Sequence, residues 1–414
     1  MVIRGLAPTE QVAPSRVPAR ARGLAGSLAR AAARHPWLGA FLAGLAGWAT
    51  NIAHPVDEPT DYTVFVHAGD AIWRGDPAAA LTDPGVQAGP LTLAALSRLD
   101  QLGGLVGQQA VVATLAMALL ASACMTAAIR WRQVVLSREL AGAGLLLAWT
   151  LAALWGPLTG NWAHPTHAVV PLLWLVCVRE AQGGRAARAG IALGLAMALD
   201  SWAVFGLCAL LVVLPDVRLL LRGIATTLAV TALAWGPFLL LGAGSARMTW
   251  TAQPGSLPEL LGVAEVGAGY RGVQVLLVLA VGSALVLRLR TCTDLGWLLP
   301  VVLVAVRIAT DGIYLDYYSF PVRVGLLVGV AVLMARRDRR ALPLAAAAWL
   351  TSIEWASTPA LLAQLPLVAG VVLATVVVLR GAAPIKEPEP GEPVLAQPEA
   401  GASTSRATAV SASE

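Results

Sequence analysis

Ala53-His54-Pro55-Val56-Asp57-Glu58-Pro59-Thr60-Asp61-Tyr62-Thr63-Val64-Phe65-Val66-His67-Ala68-Gly69-Asp70-Ala71-Ile72-Trp73-Arg74-Gly75-Asp76-Pro77 is the stretch around which the chain is organised. It holds the densest cluster of acids ahead of a long series of apolar segments, and it follows one of them, Pro36 to Ala53. Carboxylates placed between such segments belong to a loop that leaves the apolar phase. The segments around it belong to the frame that carries it.

Working outward, 57% of the 414 residues are hydrophobic and 13% are charged, where a soluble globular domain has about 25% charged. The apolar runs are rich in Ala, Leu, Val and Gly and are divided by short links bearing Arg, Pro or Gly. This is the pattern of membrane helices, and the alternating segments of about ten residues expected of a membrane barrel are absent. The predicted fold is an all-α membrane protein, a helical bundle of about 12 spans with an outer loop carrying an amphipathic helix.

The spans run Pro36 to Ala53, Gly104 to Ala128, Leu140 to Trp155, Ala168 to Val178, Ala189 to Leu199, Ala203 to Leu214, Gly223 to Leu241, Gly272 to Leu287, Leu295 to Ala309, Val322 to Ala335, Leu342 to Trp355 and Ala360 to Leu379. An even number puts both termini on one side. With that side cytoplasmic, only Arg74, Arg98, Arg247, Arg271, Arg307 and Arg323 of the 29 Lys and Arg residues fall outside or near the outer face, as the positive-inside rule requires. The expected location is the plasma membrane, multi-pass. The domains are a cytoplasmic basic arm over 1–35, a bundle over 36–380 with its outer loop at 54–103, and a disordered cytoplasmic tail over 381–414. An uncleaved signal anchor fits the long basic arm better than a cleaved signal peptide.

The net charge of +5 is loop charge rather than a nucleic-acid stripe, so no nucleic acid is expected. Cys124, Cys177 and Cys208 fall in apolar spans and Cys292 in an inner link, without the spacing of a disulfide framework or a zinc site. Three spans, Ala168 to Val178, Ala189 to Leu199 and Ala203 to Leu214, are short for a core of about 30 Å at about 1.5 Å per helical residue. They point to a thinned or water-filled outer cavity.

Within the outer loop, Thr60 is placed to cap a helix beginning at Asp61. Val64, Phe65, Ala68, Ala71 and Ile72 then share one face, and Thr63, His67, Asp70 and Arg74 the other, an amphipathic helix on the outer surface. Asp70 and Arg74 are expected to pair at i,i+4. Asp57, Glu58 and Asp61 read either as a solvated capping turn or as carboxylates facing a cavity, where one takes a proton from an acceptor hydroxyl. The helix dipole keeps Asp61 ionised.

Asp61-Tyr62-Thr63-Val64-Phe65, Ala68, Gly75-Asp76-Pro77 and Gly89-Pro90-Leu91 resemble the first outer loop of the GT-C membrane glycosyltransferases that use polyprenyl-phosphate-mannose, in a divergent, actinobacterial-type form. Gly184-Arg185, Ala189-Gly190 and Gly194-Leu195-Ala196 resemble that family's inner loop and following short helix. Phe65 and Ala78 stand where Tyr is common, Gly89 where a Pro is, and Asp200-Ser201-Trp202 where a Lys-containing turn is frequent. The resemblance implies an inverting transfer of a sugar, mannose by expectation, from a polyprenyl-phosphate donor to a lipid or glycan acceptor on the outer face, with Asp61 as general base. It implies no cofactor.

The leaving lipid phosphate calls for a cation. Arg307, one turn before Asp311, is the first candidate, and pairing with Asp311 is its structural alternative. Arg323 and Arg271, at outer helix starts, are further candidates that otherwise snorkel to headgroups. His164 and His167 lie in a short outer loop; Pro165 breaks the helix between them and no acid completes a metal set, so a cavity role is expected rather than a metal. Asp200, at the outer junction of two short spans, must face water or a partner. Tyr314, Tyr317 and Tyr318, with Asp316, read as an interfacial aromatic belt. A multi-span transporter or lipid flippase, or an inactive scaffold of the same fold, are the alternative functions.

Overall fold

The computed structural model describes residues 19–53, 60–82, 86, 88–105, 109–132, 142–150, 164–213, 216–241, 249–289, 296–313, 316–335, 338–351 and 367–376. Asp57, Glu58, Cys292, Tyr314 and the tail over 381–414 lie outside these residues, as do the side chains of Asp316 and Tyr317. The protein is an all-α helical bundle. Its elements are α1 (Ala19–Arg34), α2 (Pro36–Ala53), α3 (Thr60–Trp73), α4 (Pro90–Leu105), α5 (Gln109–Arg132), α6 (142–150), α7 (Thr166–Gln182), α8 (Ala186–Leu199), a 3-10 helix over Ser201–Val213, α9 (Val217–Leu240), α10 (Leu257–Leu260), α11 (Ala268–Leu289), α12 (Leu298–Thr310), α13 (Phe320–Ala335), α14 (Ala341–Leu350) and α15 (367–376). A two-residue hairpin, β1 (Trp250–Thr251) against antiparallel β2 (Glu265–Val266), lies between α9 and α11.

Each apolar segment read from the sequence is helical over its described residues except at three ends, where Leu241, Gly296, Trp297 and Thr351 are turn residues, and α2 has the bounds expected of it. Local chemistry sets several ends. Asp216 accepts from the backbone N–H groups of Arg218 and Leu219, both at 3.0 Å, which satisfies orphan donors at the start of α9. Gly75, at φ +81°, stops α3: Asp76 N–H reaches back to Ala71 O and Gly75 N–H to Ile72 O, a closure that needs left-handed backbone and hence glycine.

The core is built where α7, α8, the 3-10 helix, α12 and α13 meet, around the fully buried Trp174, Trp297, Ala203 and Leu303. A smaller apolar cluster joins α3 to α4 through Phe65, Ala68, Leu93 and Leu96. Outside these, Val217–Leu240 and Ala268–Arg288 are long and apolar enough to cross a membrane, yet only 17% and 22% of their apolar windows are buried. Leu233 and Leu240 are 81% and 87% exposed. A soluble core helix buries such residues, so these two helices fit a membrane-associated protein.

The short segments are longer in space than residue counts suggest. The apolar run Ala168 to Val178 sits within α7, whose 17 residues span about 25 Å. The 13 residues over Ser201–Val213 are wound as a 3-10 helix, which rises about 2.0 Å per residue and so extends about 26 Å. This helix packs back against α7 and α8, and Leu210 and the Ala186 carbonyl both lie against Gly223. The chain therefore reverses at Asp200, which makes that residue a turn between two helices rather than a break within one.

The stretch after α2 differs from the expected single helix in a loop. α3 has the expected start and its Phe65, Ala68 and Ala71 are buried, but it forms a hairpin with a second helix, α4. The crossing is so close that a Cβ on Gly69 would overlap the Leu93 carbonyl. Asp70 consequently turns to α4, accepting from Ser97 Oγ at 2.6 Å and Gln101 Nε2 at 3.2 Å, in place of the expected pair with Arg74. A hydroxyl and an amide supplied by the packed partner are held in place, whereas an exposed arginine gains little from pairing.

Candidate functional site

The strand between α3 and α4 is tied to the turn at Asp200. Ala88 bridges Asp200 in antiparallel fashion, Gly89 N–H donates to Leu199 O at 2.9 Å, and Thr92 Oγ1 donates to the same carbonyl at 2.7 Å. A Cβ on Gly89 would overlap the Ala198 carbonyl, so the glycine found where a proline was expected is what lets two backbones touch here. Pro90 then opens α4 at a position that has no use for an N–H.

Asp200, at one end of this contact, lines a cavity of about 200 Å³, whose walls also include His164, His167, Trp202, Phe205, Trp250, Arg271, Gln274, Arg307 and Tyr318. Five of the residues singled out by sequence, His164, His167, Asp200, Arg271 and Arg307, are thus brought together. Asp61 stands behind the wall: its Oδ2 lies 3.2 Å from His164 Nε2, with 29% of its side chain exposed against 6% for the histidine. Phe65, one turn on in α3, meets His164 edge-on at 5.2 Å and holds the ring upright.

Asp200 is buried, in extended backbone at the end of α8 and outside the apolar runs, and accepts from Thr166 Oγ1 at 2.8 Å. Burial raises its carboxyl above the ordinary carboxylate range, opposed by the Thr166 bond and the charge of Arg307.

Two arginines converge on one carboxylate. Asp311, 1% exposed, accepts from Arg271 Nη1 at 2.8 Å and from its neighbour Gly312 N–H at 2.8 Å. Arg271 Nη1 is also 2.9 Å from Gln274 Oε1. Arg307 Nε stands farther from Asp311, at 3.6 Å, an ion pair beyond hydrogen-bond length. The alternatives for Arg307 are therefore both present in part: it feels Asp311, while its Nη1 has no hydrogen-bond partner among the described residues. Its guanidinium carbon lies 4.6 Å from the Tyr318 ring centre and 5.1 Å from that of Trp202, a cation–π seat for a charge that is otherwise costly to bury. Arg271 and Arg307 thus place two guanidinium groups in the cavity wall, with Asp311 against them and Asp200 in the same wall, and guanidinium pairs are the groups that receive an anion.

Arg323 does not join them. It is 2% exposed and donates from Nε to Thr351 O at 2.8 Å, because its position on α13 faces α14 rather than the cavity. Tyr318 is corrected in the other direction: it is buried, stacks parallel to His167 at 6.0 Å and backs Arg307, so it belongs to the cavity and not to an interfacial belt. Asp57 and Glu58 lie outside the described residues. No group of three or more His, Cys, Asp or Glu side chains is placed to hold a metal among the described residues.

Sequence reading overlooked Trp202, Gln274 and Thr166. Gln274 carried a signal, an amide inside the apolar run Gly272 to Leu287, and it now bonds the Arg307 carbonyl and Thr310 Oγ1, both at 3.1 Å. Trp202 and Thr166 carried none, because only the packing of α7 against the Asp200 turn gives them neighbours. No protein-family model matches the chain, and no curated protein or solved structure is significantly similar to it.

Proposed function

We propose that this chain is a GT-C-like membrane glycosyltransferase that moves a sugar, with mannose as the expected one, from a polyprenyl-phosphate donor to an acceptor on the outer face. The observation that carries the reading is that His164, paired with Asp61 behind it, lines one small cavity together with Asp200, Arg271 and Arg307. The size of that cavity suits one sugar phosphate rather than a lipid chain.

In this reading the acceptor hydroxyl gives its proton to Asp61 as its oxygen bonds the anomeric carbon from the face opposite the phosphate, with inversion. The bond from that carbon to the phosphate oxygen breaks, and the oxygen keeps the electron pair. Arg307, with Arg271 beside it, meets the negative charge that develops on the departing polyprenyl phosphate. His164 holds the Asp61 carboxylate in position. Where the family resemblance leads one to expect a lysine near residue 201, this chain places Trp202, on which Arg307 is seated; the cation comes from a different helix.

The frame we propose is the twelve-span bundle with both termini cytoplasmic. The exposed leucines of α9 and α11, the sorting of arginines and the length gained by the 3-10 helix support it. A transporter is expected to carry helices broken within the membrane, and the reversal at Asp200 is instead a turn between two packed helices. The test is transfer by reconstituted protein with a polyprenyl-phosphate sugar. Asp61→Asn should insert normally and lose transfer by about 10²- to 10⁴-fold. A well-expressed Asn variant with full activity overturns the assignment.

A further inference from the structure

Asp200 is a buried acid of the cavity wall with no part in the proposed transfer; it is 3% exposed and shares that wall with Arg271 and Arg307. Thr166 Oγ1 donates to its Oδ2 at 2.8 Å. A carboxylate has about four lone-pair sites on its two oxygens, so accepting capacity remains. Two residues on, Trp202 is also buried and lines the same cavity. Its Nε1 has no hydrogen-bond partner among the described residues, although the indole stands near enough to favour the charged form of Asp200.

The indole is held where it is. Trp174 meets its ring edge-on at 5.3 Å, and the Arg307 guanidinium carbon lies 5.1 Å from its centre. Turning the N–H toward another partner would break both contacts. One wall therefore presents an acceptor with capacity left and, beside it, a donor that needs a lone pair. The group that satisfies both has a proton to give and a lone pair to offer, which is a hydroxyl. A phosphate oxygen offers lone pairs only and is repelled by Asp200, while an ammonium gives protons only and leaves Trp202 unmet. The phosphate instead suits Arg307, whose Nη1 has no hydrogen-bond partner among the described residues.

We infer that Asp200 and Trp202 read one hydroxyl of the donor sugar, which donates to the Asp200 carboxylate and accepts from Trp202 Nε1 while the sugar phosphate faces Arg307. The inference rests on the donor named in the proposed function and adds how that donor is oriented and selected. Asp200 and Trp202 are then specificity-determining residues, and neither moves a proton in the transfer. They favour a neutral sugar with a free hydroxyl at the position they meet, over an amino or deoxy sugar there.

The full chain in detergent is given radiolabelled polyprenyl-phosphate mannose, and the 2-, 3-, 4- and 6-deoxy forms of that donor compete for it. At least one deoxy form should bind about 30-fold more weakly than the intact donor, since removing the hydroxyl strands a buried charge and a buried N–H together. This series needs no variant. Trp202→Phe keeps the ring on which Arg307 is seated and removes the N–H; it should weaken the intact donor about tenfold and leave that deoxy form within about twofold of its wild-type affinity. Asp200→Asn, which makes the bond neutral, should likewise narrow the ratio between the two donors. A merely structural role for either residue weakens both donors alike. Four deoxy donors bound as tightly as the intact one, or a ratio unchanged in Trp202→Phe, overturns the inference while the donor binding itself still supports the enzyme reading. A wild-type chain that binds no polyprenyl-phosphate mannose overturns both.

Discussion

The carboxylate of Asp61 lies 3.2 Å from Nε2 of His164, 103 residues further along the chain. α3 delivers the acid and the turn before α7 delivers the imidazole, and of the two only His164 lines the cavity. The pair makes the role of His164 testable. If the imidazole positions Asp61, His164→Ala should lower kcat about tenfold with little change in donor KM, and His164→Gln, which retains a donor, should recover part of the loss. Steady-state kinetics on reconstituted protein separates the two constants.

Arg271 and Arg307 share Asp311 unequally, so their substitutions should separate stability from binding. Arg271→Ala removes the 2.8 Å partner of a carboxylate that is 1% exposed and is expected to cost about 3 kcal/mol, the low end for unpairing a buried charge, since Arg271 is itself partly exposed. Arg307→Ala removes the 3.6 Å contact and the cation–π seat on Tyr318 and Trp202, leaves Asp311 its 2.8 Å partner, and should melt nearer to wild type while losing most affinity for the donor phosphate. Thermal unfolding in detergent and donor binding, measured on both variants, should rank them in opposite order.

Tyr318 supports Arg307 through its ring. Tyr318→Phe should keep donor affinity within about twofold. Tyr318→Leu should lower it about fivefold, the worth of one cation–π contact of roughly 1 kcal/mol.

On the hairpin of α3 and α4, Tyr62 donates to Asp100 Oδ1 at 2.7 Å. Burial first, and then the hydrogen bond and charge of Asp100, raise its phenol above the ordinary value of 10.0. The folded chain thus holds this proton more tightly than the unfolded chain. The contribution to stability is complete below about pH 10 and declines above it, as the unfolded phenol ionises first. Wild-type melting temperature should fall between pH 9.5 and 11 by more than that of Tyr62→Phe, which begins lower by the loss of one hydrogen bond to a carboxylate, about 1.5 kcal/mol.

Gly89→Val places side-chain atoms where the Ala198 carbonyl already lies. The strain should cost about 1–3 kcal/mol and pull Ala88 away from Asp200. Reduced melting temperature together with reduced donor binding is expected, although residue 89 lines no part of the cavity.

Much of this architecture was readable in one dimension. The run Pro36 to Ala53 and, to within one residue, the start of α3 at Thr60 were legible because apolar run length, Pro at a helix start and the spacing of Phe65, Ala68 and Ala71 act within a few residues. Asp61, His164, Asp200, Arg271 and Arg307 stood out as polar groups that an apolar neighbourhood does not tolerate without partners. The partners were not legible. Arg323 had the same sequence signature as Arg307, a cation near an outer helix end, yet it bonds Thr351 O, while Tyr318 had the signature of a boundary aromatic and lies under Arg307. Nor did composition distinguish the 3-10 winding of Ser201–Val213 from an α-helix, since an almost wholly apolar run suits either winding and marks no single face.

The sequence by itself determined which segments are apolar helices and which few polar residues are set among them, because hydrophobic burial and helix ends are governed by local composition and spacing. Only the tertiary structure decided which of those polar residues share a cavity. That choice depends on how α3, α7, α11 and α12 cross and on the backbone contact of Gly89 with the Asp200 turn, and distances across packed helices are set by side-chain fit along their whole length. The acidic stretch from Ala53 to Pro77 shows both halves: its helix and its Asp61 are local features, and the histidine that completes the pair belongs to another part of the chain.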